Sequence, residues 1–186
     1  MNYIFGYGSL ICPEGINDRQ MKYIYTNNDL TIAKLKGYQR CWNASYDPRK
    51  LLIYRPPEFK NILFLGLAKS DCHFVNGIIF PINEEDMRPF LNSEGILESP
   101  ALYVLENVTN LIDTPLTLKS EDRVFTCVTV KSETNGLIKP YYINGIREGL
   151  EVRGKEFKQE FINTTFPNMP KGYYDVGYTA YKRLKK

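Results

Sequence analysis

Histidine is nearly absent from this chain: His73 is the one histidine in 186 residues. A histidine-rich metal site is therefore excluded, and a serine or cysteine nucleophile activated by imidazole would have to use that ring. His73 stands in "DCHFVNGIIF", at the start of a strand-like run, with no G-x-S-x-G elbow or matching cysteine signature, and it reads as a structural or surface residue. Phosphate-cradling motifs are missing too. No G-x-x-x-x-G-K-[ST] occurs, and the position that should carry the third glycine of a dinucleotide fingerprint after Gly6 and Gly8 is Ile11. Cys12, Cys41, Cys72 and Cys127 form no C-x-x-C pair, which argues against a zinc knuckle or a disulfide framework and for buried free thiols in a reducing compartment. No run of about 18 apolar residues is present, so no membrane span is expected. The first residues lack a basic n-region and read as a strand, which makes a cytoplasmic location the expectation. A net charge of +3, from 24 basic and 21 acidic residues, is too small to call for a nucleic-acid partner. The basic group Lys182, Arg183, Lys185 and Lys186 reads as a solvated end.

What is present is a strand-rich globular composition. Hydrophobic residues make up 43% of the chain, with 14 Tyr and 10 Phe, residue types that favour pleated, half-buried surfaces. Apolar patterning predicts strands at 2 to 7, 31 to 45, 62 to 68, 74 to 82, 101 to 109 and 123 to 132. Glu84 to Leu91 reads as a short helix with acids in its first turn. The spacing of Ile143, Ile146, Leu150, Phe157 and Phe161 predicts one helix from about Tyr142 to Arg153, a break at Gly154, and a second helix to about Asn163. The expected fold class is α+β: a small, mixed, mainly antiparallel sheet or β-barrel flanked by helices. A doubly wound sheet is disfavoured, because two strand patterns follow each other directly between residues 60 and 82. One domain over residues 1–165 is expected. The Tyr-rich extension 166–186 either wraps that body or adds a strand near Asp175 to Tyr181.

The stretch "YIFGYGSLI", residues 3 to 11, carries the most chemistry. A strand ending in Gly-Tyr-Gly-Ser either makes a tight turn that needs glycine's backbone freedom, or presents successive N–H groups to an anion or oxyanion.

"FGYGSLI", 5 to 11, resembles the YGSL signature of the γ-glutamylcyclotransferase superfamily, which includes the ChaC-type glutathione cyclotransferases. Three further pieces follow in the family's order. "GYQRCWNAS", 37 to 45, resembles the Gly-Tyr-Arg-Arg-x-Trp strand of the ChaC-type members. "LNSEGI", 91 to 96, followed by Tyr103 and Val104, resembles the Glu-Gly turn that presents the catalytic carboxylate. "YINGIREGLEVRG", 142 to 154, resembles the late helix with its substrate-facing tyrosine. The chain departs from the pattern at Leu91, where many members have Asp, and at Lys155 and Glu156, which replace a proline.

The resemblance implies a mixed β-barrel fold with no metal or organic cofactor and a small γ-glutamyl substrate. It places the substrate-binding loop at Tyr7, Gly8, Ser9 and Leu10, the general base at Glu94, and the substrate-facing tyrosine at Tyr142, or at Tyr141 if the register is one off. Arg40 and Trp42 read as sheet packing and surface charge. The implied reaction is attack of the substrate's own α-amine on its γ-carbonyl, giving 5-oxoproline and a released amine or amino acid. Glutathione, free γ-glutamyl amino acids and γ-glutamyl amines are the implied substrates. The alternative is a non-catalytic binding protein for γ-glutamyl or glutamate-like molecules on the same fold.

Overall fold

The computed structural model describes residues 1–46, 62–133 and 137–166. Its elements, in chain order, are β1 (Asn2–Gly6), α1 (Pro13–Asn17), β2 (Thr31–Tyr46), β3 (Ile62–Ile82), α2 (Glu84–Ser93), β4 (Tyr103–Asn107), β5 (Ile112–Asp113), β6 (Arg123–Thr129), β7 (Leu137–Ile138), α3 (Pro140–Arg153), α4 (Lys155–Asn163) and β8 (Thr165–Phe166). All eight strands join one sheet, ordered β4-β6-β1-β3-β2-β5, with β7 on β3 and β8 on β2. The central pairing β2/β3 is antiparallel, as are β1/β3, β2/β5 and β4/β6, whereas β1/β6, β2/β8 and β3/β7 are parallel. The sheet curls into a half-barrel with helices against it, the mixed, mainly antiparallel α+β arrangement expected.

One strand replaces two of those read from the sequence. Residues 62 to 68 and 74 to 82 belong to a single strand, β3. The register on β2 passes from Lys36 opposite Phe74 to Tyr38 opposite Lys69, so Ser70 to His73 bulge out across from Gly37, whose φ is +79°. The bulge is polar and largely exposed, which is why the apolar pattern breaks there although the strand does not. His73 sits on it with Nδ1 2.7 Å from the Ser70 hydroxyl, a surface residue as expected. Of the four thiols, Cys12, Cys41 and Cys127 are buried, but Cys72, on the same bulge, is exposed.

The helices follow their apolar spacing. Ile143, Ile146 and Leu150 form the buried stripe of α3, and Phe157 and Phe161 that of α4. Gly154, at φ +88°, separates the two helices as predicted. Arg40 corrects the surface-charge reading: it is 0% exposed. Its guanidinium donates to the Phe161 carbonyl (3.0 Å), the Thr165 hydroxyl (3.3 Å) and Asn76, and stacks 3.6 Å from the Phe161 ring centroid. A cation at the last turn of α4 meets the negative end of the helix dipole and fastens α4 and β8 to the sheet. The predicted strand near Asp175 to Tyr181 lies outside the described residues.

Candidate active site

The end of β1 turns sharply because its glycines let neighbours approach. A Cβ on Gly6 would lie 2.6 Å from the Leu10 Cβ, and one on Gly8 would lie 2.8 Å from the Tyr142 hydroxyl. Ser9–Ile11 form a 3-10 turn directly after the loop, and α1 follows with Pro13 opening it. The loop is thus folded back on itself, and the side chain of Leu10 is buried beneath it.

Glu94 arrives from the other side of the site as the C-cap of α2. Its position is fixed by a Schellman motif. The Ile96 N–H donates to the Leu91 carbonyl (3.0 Å), the Gly95 N–H donates to the Asn92 carbonyl (3.1 Å), and Gly95 takes φ +67°. The Gly after Glu94 is therefore required by the helix ending, and that ending aims the carboxylate.

Arg19 is the residue the sequence reading missed. Its Nε donates to Glu94 Oε1 at 2.7 Å, its Nη2 to the Ser9 hydroxyl at 3.0 Å, and its Nη1 to the Gly15 carbonyl. Burial opposes the guanidinium's charge, but Glu94 more than offsets this, and its pKa lies above the usual arginine value. Arg19 follows α1, whose signal was present in "PEGIN": Pro at the first helical position and Glu in the first turn. Arg19→Met would leave Glu94 without its cation and Ser9 without a donor, and is expected to cost about 1 to 3 kcal/mol in urea unfolding, with Arg19→Lys recovering part of it.

Three tyrosines complete the site. Tyr7 donates to the Cys127 carbonyl at 2.6 Å and Tyr103 to the Leu65 carbonyl at 2.7 Å. The Tyr142 hydroxyl accepts the Leu65 N–H at 3.3 Å and also meets the Ser9 N–H. Its ring is held edge-on by Phe64 and Trp42, with centroids 5.0 and 6.0 Å away. Burial is the main cause that raises all three phenol pKa values, with Glu94 adding to it, so these groups stay protonated hydroxyls. Of the two adjacent tyrosines, Tyr142 points to the loop, while Tyr141 is 63% exposed and lines the wider cleft.

Two adjoining spaces result. An inner chamber of about 20 Å³ is lined by Tyr7, Gly8, Ser9, Leu10 and Glu94 together with residues of β3, β4, β6 and α3. An outer cleft of about 590 Å³ opens beyond it, and Ser9, Glu94, Tyr103 and Tyr142 border both. The chamber has room for about one oxygen-sized group, and the cleft has the size of a small-molecule site. All six residues expected from the sequence, Tyr7, Gly8, Ser9, Leu10, Glu94 and Tyr142, border the inner chamber. The loop does not stand bare, however, because the Tyr142 hydroxyl already occupies the space over Gly8. Gly8→Ala is expected to displace that hydroxyl and cost about 1 to 3 kcal/mol, measured by urea unfolding.

No protein-family model and no curated protein matches the sequence. Solved structures do match the fold. A γ-glutamyl cyclotransferase is 17% identical over 98% of this chain and 97% of its own, with a TM-score of 0.60. An uncharacterized protein, loc79017, from Homo sapiens is 18% identical over 99% and 98%, with a TM-score of 0.57. A γ-glutamyl cyclotransferase specific to glutathione from yeast is 13% identical over 87% and 94%, with a TM-score of 0.51. Among the described residues no helix is long and apolar enough to cross a membrane. The half-barrel with its flanking helices is that of the γ-glutamyl cyclotransferase-like fold, and the chain adopts that fold.

Proposed function

We propose that the protein is a cyclotransferase that converts a γ-glutamyl amide to 5-oxoproline and a free amine. The observation that carries this reading is the position of Glu94: a carboxylate fixed where a small-molecule cleft meets an oxygen-sized chamber lined by the loop. In the reaction, Glu94 takes a proton from the substrate's α-ammonium. The freed nitrogen attacks the γ-carbonyl carbon and closes the five-membered ring. The carbonyl oxygen, negative in the tetrahedral intermediate, is met by loop N–H groups and the Tyr142 hydroxyl, each good donor contributing about 3 to 4 kcal/mol. The bond from carbon to the leaving nitrogen then breaks, that nitrogen receives the proton from Glu94, and the ring nitrogen gives up its second proton to the released amine, which departs as its ammonium. Arg19 holds the carboxylate in place between turnovers, and the substrate's ammonium competes for it. Holding amine and carbonyl face to face supplies the largest share, up to about 7 to 11 kcal/mol in the best intramolecular cases.

The test is incubation of the purified chain with glutathione, a γ-glutamyl amino acid and a γ-glutamyl amine, followed by mass detection of 5-oxoproline. Product from at least one is expected. A second reading, a binding protein for γ-glutamyl or glutamate-like molecules, draws on the Arg19–Glu94 ion pair, which already occupies the carboxylate. Calorimetric binding without any 5-oxoproline would favour it.

A further inference from the structure

One cation borders the site. Among the described residues that line the outer cleft, Arg19 is the only lysine or arginine, and the other charged groups, Glu14, Asp18, Glu94 and Glu148, are carboxylates. The inner chamber has no cation in its described lining. Arg19 and Glu94 stand 2.7 Å apart with side chains 17% and 11% exposed, so the pair is a nearly buried dipole in the cleft wall. Of the five guanidinium N–H groups, three are used, on Glu94, the Ser9 hydroxyl and the Gly15 carbonyl, and the rest have no acceptor among the described residues.

A γ-glutamyl group brings a dipole of its own, an α-ammonium and an α-carboxylate on one carbon. Its γ-carbonyl oxygen and its α-carboxylate both need donors, and the two spaces sort them by size. The inner chamber, at about 20 Å³, takes one oxygen and not a carboxylate with two. The carboxylate is left to the outer cleft, where Arg19 is the cation that meets it. Charge balance points the same way. The ammonium that displaces Arg19 from Glu94, and the proton that Glu94 then accepts, would each leave a nearly buried guanidinium without its counter-charge, which is a costly state. A carboxylate carried by the substrate supplies that counter-charge throughout the turnover.

Resting on the cyclotransferase reading, we infer that Arg19 binds the substrate's α-carboxylate, so that the Arg19–Glu94 pair reads the zwitterionic head of the γ-glutamyl group and rejects amides that lack that carboxylate. The test takes glutathione, γ-glutamyl alanine and γ-glutamyl butylamide, each beside the compound in which the α-carboxylate is a carboxamide, a change that keeps the amine and the shape but removes the charge. In the unaltered protein, kcat/KM for release of the five-membered lactam is expected to be about tenfold to a hundredfold lower for the carboxamide forms. The loss should fall on KM more than on kcat, because the contact is made before and during the reaction alike. Arg19→Met should bring the ratio of the two forms toward one, and Arg19→Lys, which keeps the charge but not the fork, should restore part of it. Arg19→Gln serves where the methionine variant does not fold, with circular dichroism as the check. A residue that only held the fold together would slow both forms equally and leave their ratio as it was. Equal kcat/KM for the two forms in the unaltered protein, or an unchanged ratio in the folded neutral variant, overturns the inference. Should no compound release a lactam, the cyclotransferase reading fails separately, and calorimetry on the same pairs decides: tighter binding of the carboxylate form that is lost in the neutral variant upholds recognition by Arg19, while equal binding or none overturns it.

Discussion

Glu94→Gln is expected to lower kcat by about 10² to 10⁴ while moving KM little. The substitution keeps the size of the side chain and an oxygen to accept from Arg19, but removes the group that takes the proton. General base catalysis of a proton transfer is worth about that factor, and an interaction made only in the transition state appears in kcat more than in KM. The Schellman ending of α2 does not use the Glu94 side chain, so the helix and the loop opposite should keep their places. The measurement is the initial rate of 5-oxoproline release at saturating substrate, beside a circular dichroism spectrum of the variant. A rate close to that of the unaltered protein would remove Glu94 from the mechanism.

Arg40→Met carries the largest expected effect on stability, about 3 to 5 kcal/mol in urea unfolding, from several buried acceptors left unmade at about 1 to 3 kcal/mol each. Methionine fills much of the same space and keeps the contact with the Phe161 ring. It supplies no donors, however, and leaves the Phe161 carbonyl, the Thr165 hydroxyl and both Asn76 acceptors without the guanidinium in a fully buried place. Leaving buried acceptors unmade costs more than the bonds contribute on average. Because Arg40 ties α4 to the sheet, and α4 packs on α3, the loss should also loosen the helix that carries Tyr142. A loss under about 1 kcal/mol would show that packing, and not this network, holds the helices down.

β1, β2, β4 and β6, the two late helices and their Gly154 break could be read from period and glycine placement, since burial there follows the local pattern, whereas the two-residue strands β5, β7 and β8 are too short to carry a pattern. The β3 strand could not, because its continuity across Ser70 to His73 is imposed by pairing with β2 and not by apolar residues. In the site, Glu94 and Tyr142 were legible through the resemblance. The role of the glycines in "YIFGYGSLI" was only half legible. They clear space, as a stripped strand end suggests, but the atoms that enter it belong to Leu10 and Tyr142. Arg19 escaped notice because nothing local marks an arginine in a loop as the partner of a carboxylate 75 positions later. The acidic side of the cleft escaped for the same reason: Glu14, Asp18 and Glu148 come together only when α1 and α3 pack around the turn at Ser9–Ile11.

The central claim is intramolecular attack by the substrate's own amine. Its most direct test is a γ-glutamyl amide labelled with ¹⁵N at the α-amine, turned over by the purified chain and analysed by mass spectrometry. The account predicts 5-oxoproline that retains the label in its ring and a released amine without it. Labelled glutamate in place of 5-oxoproline, the signature of water attacking the amide, would contradict it.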